Sequence, residues 1–257
     1  LDSIISKGDK NFFIKQLKNF IGDKRKTFLE MGAGTCQVSN YLAATTFCDV
    51  YACDLTKDSL DLGHEFAEKN KLENIKFIHS DIFDDVFEEN YFDMIYCSGV
   101  LHHTKSTEKS FEILCKNLKP EGYIVIGLYN KFGRLRTNLR QFIFKFISKK
   151  LAIFLDPYVR NLKKDNHDKR ESWIKDQYMH PVERSHSYDE LLKMFEENKI
   201  DFINSYPSKF INDERNIYEK SEKGNYFERL FQQIWIIFTS LGGEGGLFLF
   251  VGKKKNE

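Results

Sequence analysis

The feature that most constrains the fold is a regular alternation of short apolar runs with helical patterns over residues 1 to about 130. The runs are rich in β-branched and aromatic residues and are bounded by Gly, Asp or Asn, as buried strands are. The predicted strands are 27–31, 50–54, 75–79, 92–97 and 123–129, and the helical patterns are 38–44, 59–70 and 107–118. Alternation at this spacing predicts a parallel sheet with helices on both faces.

The second half of the chain leaves this alternation and then returns to it. A turn at 119–122, which contains Pro and Gly, is predicted to lead into the fifth strand. A helix is predicted at 187–197 with Ser187 as its N-cap, and most of 214–240 is expected to be helical. Two further strands are predicted at 200–205 and 246–252. The expected organisation is a core at 1–130, a helical lid and acceptor-site insertion at 131–187, and the rest of the sheet, with a helical insertion, at 188–257.

Charge, hydropathy and cysteine content limit the class of protein. Lys and Arg number 39 against 38 Asp and Glu, and the net charge of +1 argues against a protein built to coat nucleic acid. No run of about 18 apolar residues predicts a transmembrane helix, and residues 1–10 lack the apolar stretch of a signal peptide. The five cysteines form no C-x-x-C pair, so we expect reduced thiols in a cytoplasmic protein.

A glycine-rich turn, Gly32-Ala33-Gly34, follows the first predicted strand. Such a turn between a strand and a helix lets the backbone approach a ligand, because a Cβ atom would collide with it. The dinucleotide pattern G-x-G-x-x-G is incomplete, since Gln37 stands at its third glycine position. Glu30, two residues before the turn, would repel a pyrophosphate at the helix N-terminus. The sequence therefore favours a ligand with a positive group near Glu30.

Polar groups also follow the next three predicted strands. Asp54 lies about twenty residues beyond the glycines, where a carboxylate can accept both ribose hydroxyls. Asp81 follows the third strand and can accept from an adenine amine, with Ile82 against the base, while Ser98 follows the fourth strand and can offer its backbone. Each Asp taken alone is also a typical helix N-cap. Because the strand ends meet at one sheet edge, the sequence predicts one ligand site there.

Together these motifs resemble those of the class I S-adenosylmethionine-dependent methyltransferases. The segments that carry the resemblance are FLEMGAGT at 28–35, CDL at 53–55, SDI at 80–82, FDMI at 92–95, GVLHHT at 99–104 and LKPEG at 118–122. The resemblance implies a Rossmann-like fold, with a seven-stranded, mostly parallel sheet, an antiparallel last strand, helices on both faces and a helical lid insertion. It also implies S-adenosylmethionine as cofactor, with S-adenosylhomocysteine as product. The segments around 128–136 and 176–181 further resemble a small-molecule methyltransferase subgroup.

The resemblance assigns roles to the cofactor edge. The turn 32–34 and Glu30 would face the methionine part of the cofactor, and the backbone of Ser98 would approach its amino group. Asp54 would hold the ribose with Leu55 beside it. Asp81 and Ile82 would contact the adenine. The departure from the family pattern at Gln37 leaves these roles unchanged.

Methyl transfer from a sulfonium is an in-line displacement, so the protein must align the reacting atoms and exclude water. A base assists when the acceptor is an oxygen or a protonated nitrogen, and no metal site is predicted. The candidates for the base, or for a hydrogen-bond partner of the acceptor, are His102, His103, Tyr129, Tyr178 and His180. The alternatives are histidines that cap backbone or pack on the cofactor, a core aromatic at 129, and a solvated polar loop at 173–186.

The segment 133–150 combines basic residues with apolar residues at helical spacing, and no acid occurs in it. Three interpretations stay open: a lid helix with its apolar face on the core, a peripheral contact with an anionic membrane or lipid-like substrate, and a contact with an anionic acceptor such as RNA. The predicted function is methyl transfer to a small-molecule acceptor. The alternatives are a non-catalytic S-adenosylmethionine-binding scaffold, an RNA- or lipid-directed methyltransferase, and an NAD(P)-dependent oxidoreductase, against which Glu30 and Gln37 both argue.

Overall fold

A seven-stranded sheet organises the part of the chain that the computed structural model describes, which is residues 1–144, 183–206, 216–238 and 246–256. Its strands are β1 (Thr27–Met31), β2 (Asp49–Asp54), β3 (Ile75–His79), β4 (Phe92–Ser98), β5 (Leu118–Tyr129), β6 (Ile200–Tyr206) and β7 (Leu247–Lys254). The spatial order is β3-β2-β1-β4-β5-β7-β6. Strands β1 to β5 pair in parallel, and β7 pairs antiparallel with both β5 and β6. The predicted fold class is confirmed.

The strand order reverses between β1 and β4, which lie side by side although β2 and β3 come between them in the chain. In open α/β sheets the two crossover connections leave a crevice at such a point, at the carboxyl ends of the strands. The fold therefore places the end of β1, the glycine turn and the end of β4 at the expected binding position.

Eight α-helices are described. They are α1 (Asp2–Lys10), α2 (Phe12–Ile21), α3 (Gln37–Thr45), α4 (Lys57–Lys69), α5 (Thr107–Asn117), α6 (Leu135–Phe144), α7 (Tyr188–Glu197) and α8 (Tyr226–Ile236). Two 3₁₀ turns, Ile82–Asp84 and Leu101–His103, follow β3 and β4. Ser187 caps α7 as predicted, because its side chain accepts from the backbone N–H of Glu190. None of the described helices has the length and apolar character that crossing a membrane requires.

The core lies on both faces of the sheet because successive strand residues point to opposite sides. In β7, for example, Phe248 and Phe250 join one apolar cluster, whereas Leu249 and Val251 join the other. All five cysteines are buried free thiols, as the sequence predicts.

Two predicted boundaries are wrong. Strand β5 begins at Leu118, and the predicted turn at 119–122 is an irregularity within it, where the pairing with β4 jumps from Phe92 opposite Leu118 to Met94 opposite Tyr123. The helix predicted over most of 214–240 is shorter in the described residues, because Asn225 caps α8 through a reciprocal capping box with Glu228. The division at 130 and 187 stays a prediction, since 145–182 lie outside the described residues.

Candidate functional site

The glycine turn after β1 has the backbone geometry that the sequence predicts. Gly32 and Gly34 have φ values of +76° and +51°, in the left-handed region that favours glycine. A Cβ at Gly32 would lie 2.0 Å from Cγ2 of Val100, so the turn packs directly on the loop after β4. A Cβ at Gly34 or at Gly99 would meet no heavy atom within 4 Å. These two glycines therefore border open space at the crevice.

Asp54 ties the glycine turn to the end of β2. Its Oδ2 accepts from the backbone N–H of Gly34 at 2.7 Å, and its Oδ1 accepts from the N–H of Thr56 at 2.7 Å. The contact follows from the parallel register, which sets Met31 opposite Cys53 and so brings the residues beyond both strands together. The carboxylate thus holds the turn in shape at the place where the ribose hydroxyls are expected.

Glu30 is buried beneath the turn and faces the N-terminus of α3. Its Oε2 accepts from the backbone N–H of Ser39 at 2.9 Å and from the Ser39 Oγ at 2.5 Å. Cys36, the N-cap residue, makes no side-chain hydrogen bond to the helix. The Glu30 side chain, which comes from β1, instead accepts from the Ser39 N–H in the first turn of α3. Burial raises the pKa of Glu30 to about 7, with Ser39 opposing the shift and Asp54 adding to it. A cationic group nearby would favour the ionised form.

The remaining predicted cofactor residues lie at the same edge. Asp81 caps the 3₁₀ turn after β3, since its Oδ1 accepts from the N–H of Phe83 at 3.0 Å. Ile82 is buried beside it, and Leu55, directly after Asp54, is exposed. Ser98 ends β4 next to Gly99. The N-cap alternative for Asp81 is therefore realised, and a cofactor role for its carboxylate stays a prediction.

These residues fit the cofactor that the resemblance implies. The open space beside Gly34 and Gly99 is a cradle that a Cβ would fill, and the Asp54 carboxylate borders it through its bond to the Gly34 N–H. Glu30 supplies a further carboxylate, whose ionised form a cationic ligand would favour. The donor and acceptor set is suited to an adenosyl ribose and an amino acid cation.

Three of the five catalytic candidates form a stack at the ends of β4 and β5. The ring centroids of His102 and Tyr129 are 3.9 Å apart, and those of His102 and His103 are 4.3 Å apart. The His102 ring is fully buried and His103 is half-buried. Tyr178 and His180 lie outside the described residues, so the structure does not place them.

An arginine that the sequence analysis treated as part of the basic segment belongs to this stack. The Arg134 guanidinium carbon lies 3.9 Å from the centroid of the Tyr129 ring, and the whole side chain is buried. Arg134 pairs with Glu183 through two contacts, of which Nε to Oε1 measures 2.8 Å. The pair orders the stack from the side of α6.

Residues 183–186 fasten the end of the 173–186 segment to the stack. The N–H of Arg184 donates to the carbonyl of His102 at 2.9 Å, and the N–H of His186 donates to the carbonyl of Tyr129 at 2.8 Å. The His186 Nε2 lies 3.1 Å from the Thr107 hydroxyl, and burial lowers the pKa of His186. The density of polar residues was the sequence signal for this segment, and its described end does contact the catalytic candidates.

Only the first part of the basic segment 133–150 is described. There the apolar residues Leu135, Leu139 and Phe142 of α6 are exposed, while Thr137 is buried. The lid interpretation expected α6 to pack its apolar side on the core. In the described part of α6 these three apolar side chains are exposed instead.

Comparison with known proteins finds similarity in sequence to a methyltransferase and similarity in fold to the structures of PKMT2. Phosphoethanolamine N-methyltransferase 2 of Caenorhabditis elegans is 30% identical over 131 residues, which are 50% of this chain and 30% of that protein. The structure of PKMT2 from Rickettsia typhi matches with a TM-score of 0.68 at 16% identity, over 96% of this chain and 53% of that one. A second structure of PKMT2, in complex with AdoHcy, matches with a TM-score of 0.65 at 16% identity, over 90% and 49%.

The chain spans about a third of the curated relative and about half of the PKMT2 chain, and the structural likeness shows the fold. The family model matches a longer stretch of this sequence than the C. elegans relative does. It is described as a methyltransferase domain and matches residues 22–224, which include the glycine turn, the strand-end acids and the histidine loop. The cofactor that this family implies is S-adenosylmethionine. This chain belongs to the methyltransferase domain family.

Proposed function

We propose that this protein transfers a methyl group from S-adenosylmethionine to a small-molecule acceptor. The observation that carries the proposal is the open space beside Gly34 and Gly99, with the Asp54 carboxylate bound to the Gly34 N–H at the end of the neighbouring strand β2. The PKMT2 structure with AdoHcy, the demethylated cofactor, supports this choice of ligand. The name of the C. elegans relative, which specifies phosphoethanolamine, supports a small acceptor.

The bound cofactor supplies an electrophilic methyl group on a sulfonium. In the proposed site Asp54 binds the ribose hydroxyls and keeps the glycine turn in place through the Gly34 N–H. Glu30 offers negative charge from below the turn towards the cationic amino acid part. Asp81 and Ile82 contact the adenine, and the Ser98 backbone receives the amino group.

We assign the acceptor side to the stack at the ends of β4 and β5. His103 is less buried than His102, whose ring is fully buried and packed on Tyr129. His103 is therefore the proposed base, which takes a proton when the acceptor is an oxygen or a protonated nitrogen. His102 and Tyr129 are proposed to position it through ring contacts.

Calorimetry with AdoHcy, NAD⁺ and NADP⁺ tests the cofactor. We expect AdoHcy alone to bind, and Asp54→Asn to weaken its binding by about 1–3 kcal/mol because charge-assisted hydrogen bonds are lost. The matched control is Asp58→Asn, which changes an exposed acid on the first turn of α4. Preferential binding of a nicotinamide dinucleotide would overturn the proposal.

Incubation with methyl-labelled S-adenosylmethionine and a small-molecule extract tests turnover. Labelled small molecules are expected with the wild type, with a rate at least tenfold lower for His103→Asn because a base typically contributes about 10²-fold or more. Label that appears only in RNA or lipid would redirect the acceptor class. AdoHcy binding without turnover on any acceptor would favour the scaffold alternative.

A further inference from the structure

Helix α8 exposes a stripe of large apolar side chains and buries two glutamines. The exposed large side chains follow one helical stripe, with 78% of Phe227, 57% of Phe231 and 41% of Trp235 accessible, and Phe238 continues the stripe one turn further. The buried side carries Gln232 and Gln233 together with Ile236. A contiguous apolar stripe of this kind on a surface helix indicates an interaction site.

Polar contacts fix this orientation of α8. The Gln233 Oε1 accepts from the Asn130 Nδ2 at 3.1 Å and from the Tyr188 N–H at 2.8 Å. Arg229, on the same helix, pairs with Asp189 of α7. Rotation of the helix to bury its aromatic residues would break these contacts and leave buried polar groups unsatisfied. The outward aromatic stripe is therefore a built feature of the fold.

Helix α6, which starts next to α8, also turns apolar side chains to the surface and carries positive charge. Gly133, two residues before α6, packs against α8 so closely that a Cβ there would lie 2.9 Å from Cγ2 of Ile236. Leu135 and Leu139 are exposed beside the exposed Arg136. Arg140, the second arginine of α6, is partly exposed, and no acidic residue occurs between Leu135 and Phe144. The exposed leucines of α6 therefore lie beside two cations.

We propose that α6 and α8 form a docking surface for an anionic lipid bilayer. Aromatic and aliphatic side chains in the exposed stripes would enter the boundary between headgroups and acyl chains, and the arginines would bind the acidic headgroups. The choice of lipid rests on charge complementarity together with the continuous apolar stripes. Nucleic acid binding uses separate aromatic platforms along a basic groove, which stripes that include Leu135, Leu139 and Ile234 do not resemble. The proposal goes beyond the methyl-transfer function and does not depend on it.

Vesicle co-sedimentation of the full chain tests this surface. We expect binding to vesicles of phosphatidylcholine with phosphatidylglycerol at least about tenfold tighter than to phosphatidylcholine alone, weakened by salt. Emission of Trp235 should shift to the blue on binding, and this shift should disappear in Trp235→Phe. The double variant Phe227→Ser/Phe231→Ser should lose binding at least about tenfold, because two apolar side chains no longer leave water.

Matched variants distinguish binding through this surface from nonspecific binding to vesicles. Phe47→Ser removes an equally exposed aromatic ring from the loop before β2 and should leave binding unchanged. Arg136→Gln should weaken binding to anionic vesicles, whereas Lys109→Gln, on exposed α5 surface, should not. Absence of binding to any vesicle would overturn the proposal. Self-association, or RNA binding, that depends on Phe227 and Phe231 in place of vesicle binding would overturn it as well.

Discussion

Substitution of Glu30 by Gln offers a direct test of how the cofactor edge is built. The Gln amide oxygen can still accept from the Ser39 N–H and Oγ, but it cannot ionise. The pKa of Glu30 rises from 4.5 to about 7 in the folded protein, chiefly because of burial. Each pKa unit corresponds to about 1.4 kcal/mol, so full ionisation of Glu30 lowers the free energy of unfolding by about 3 kcal/mol.

The sign of the pH dependence follows from proton binding. Between pH 4.5 and about 7 the folded protein holds a proton on Glu30 that the unfolded chain has released, so stability falls as the pH rises through this window. Urea unfolding of the cofactor-free protein at pH 5 and pH 8 measures the effect. Glu30→Gln should gain about 2–3 kcal/mol on the wild type between these two pH values.

The control is Glu65→Gln, which makes the same chemical change on the exposed face of α4. It reveals whether any Glu to Gln change produces the same trend. If the difference between wild type and Glu30→Gln stays constant within about 0.5 kcal/mol across the pH range, burial does not govern Glu30 and the reasoning is refuted.

Three further predictions concern the same region. Gly32→Ala should lower the free energy of unfolding by about 3 kcal/mol in urea, because of the positive φ and the clash of the added Cβ. Gly34→Ala should lower it by only about 1 kcal/mol and should weaken AdoHcy binding in calorimetry, since its Cβ would enter the cradle. Equal effects of the two substitutions on stability would contradict this. Arg134→Met should destabilise the protein by about 3–5 kcal/mol, and adding Glu183→Gln should restore part of the loss in a double-mutant cycle; additive losses would contradict the pairing. AdoHcy binding at pH 6 should release protons through Glu30, seen by calorimetry in two buffers of different ionisation enthalpy and absent in Glu30→Gln.

The arrangement of the strand ends could be predicted because its geometry follows from local rules. Parallel strands end at one edge, and the register between β1 and β2 brings Asp54 to the Gly34 N–H without help from distant parts of the chain. The contacts of Glu30 were only partly predictable. The sequence indicated that a carboxylate there is incompatible with a pyrophosphate, but its bonds to Ser39 depend on the unusual left-handed N-cap at Cys36.

The surroundings of the catalytic candidates were less predictable because they depend on contacts between distant residues. In the sequence Arg134 is one charge in a basic segment. In the structure it is buried, because Glu183, 49 residues away, provides the opposite charge that offsets the cost of removing the guanidinium from water. The two N-terminal helices, α1 and α2, were not anticipated either. Only Gly8 of α1 is buried.

The orientation of α6 and α8 shows where periodicity stops being informative. A 3.6-residue apolar stripe predicts a helix and the width of its apolar side, but it does not state whether that side meets the core or a partner. In α8 the decision comes from Gln233, whose carbonyl satisfies both a side chain of the β5–α6 connection and the backbone of α7. Leaving those donors unpaired costs about 1–3 kcal/mol each. Since Arg229 adds an ion pair on the same side, the polar face is held inward and the aromatic face stays available for a second surface.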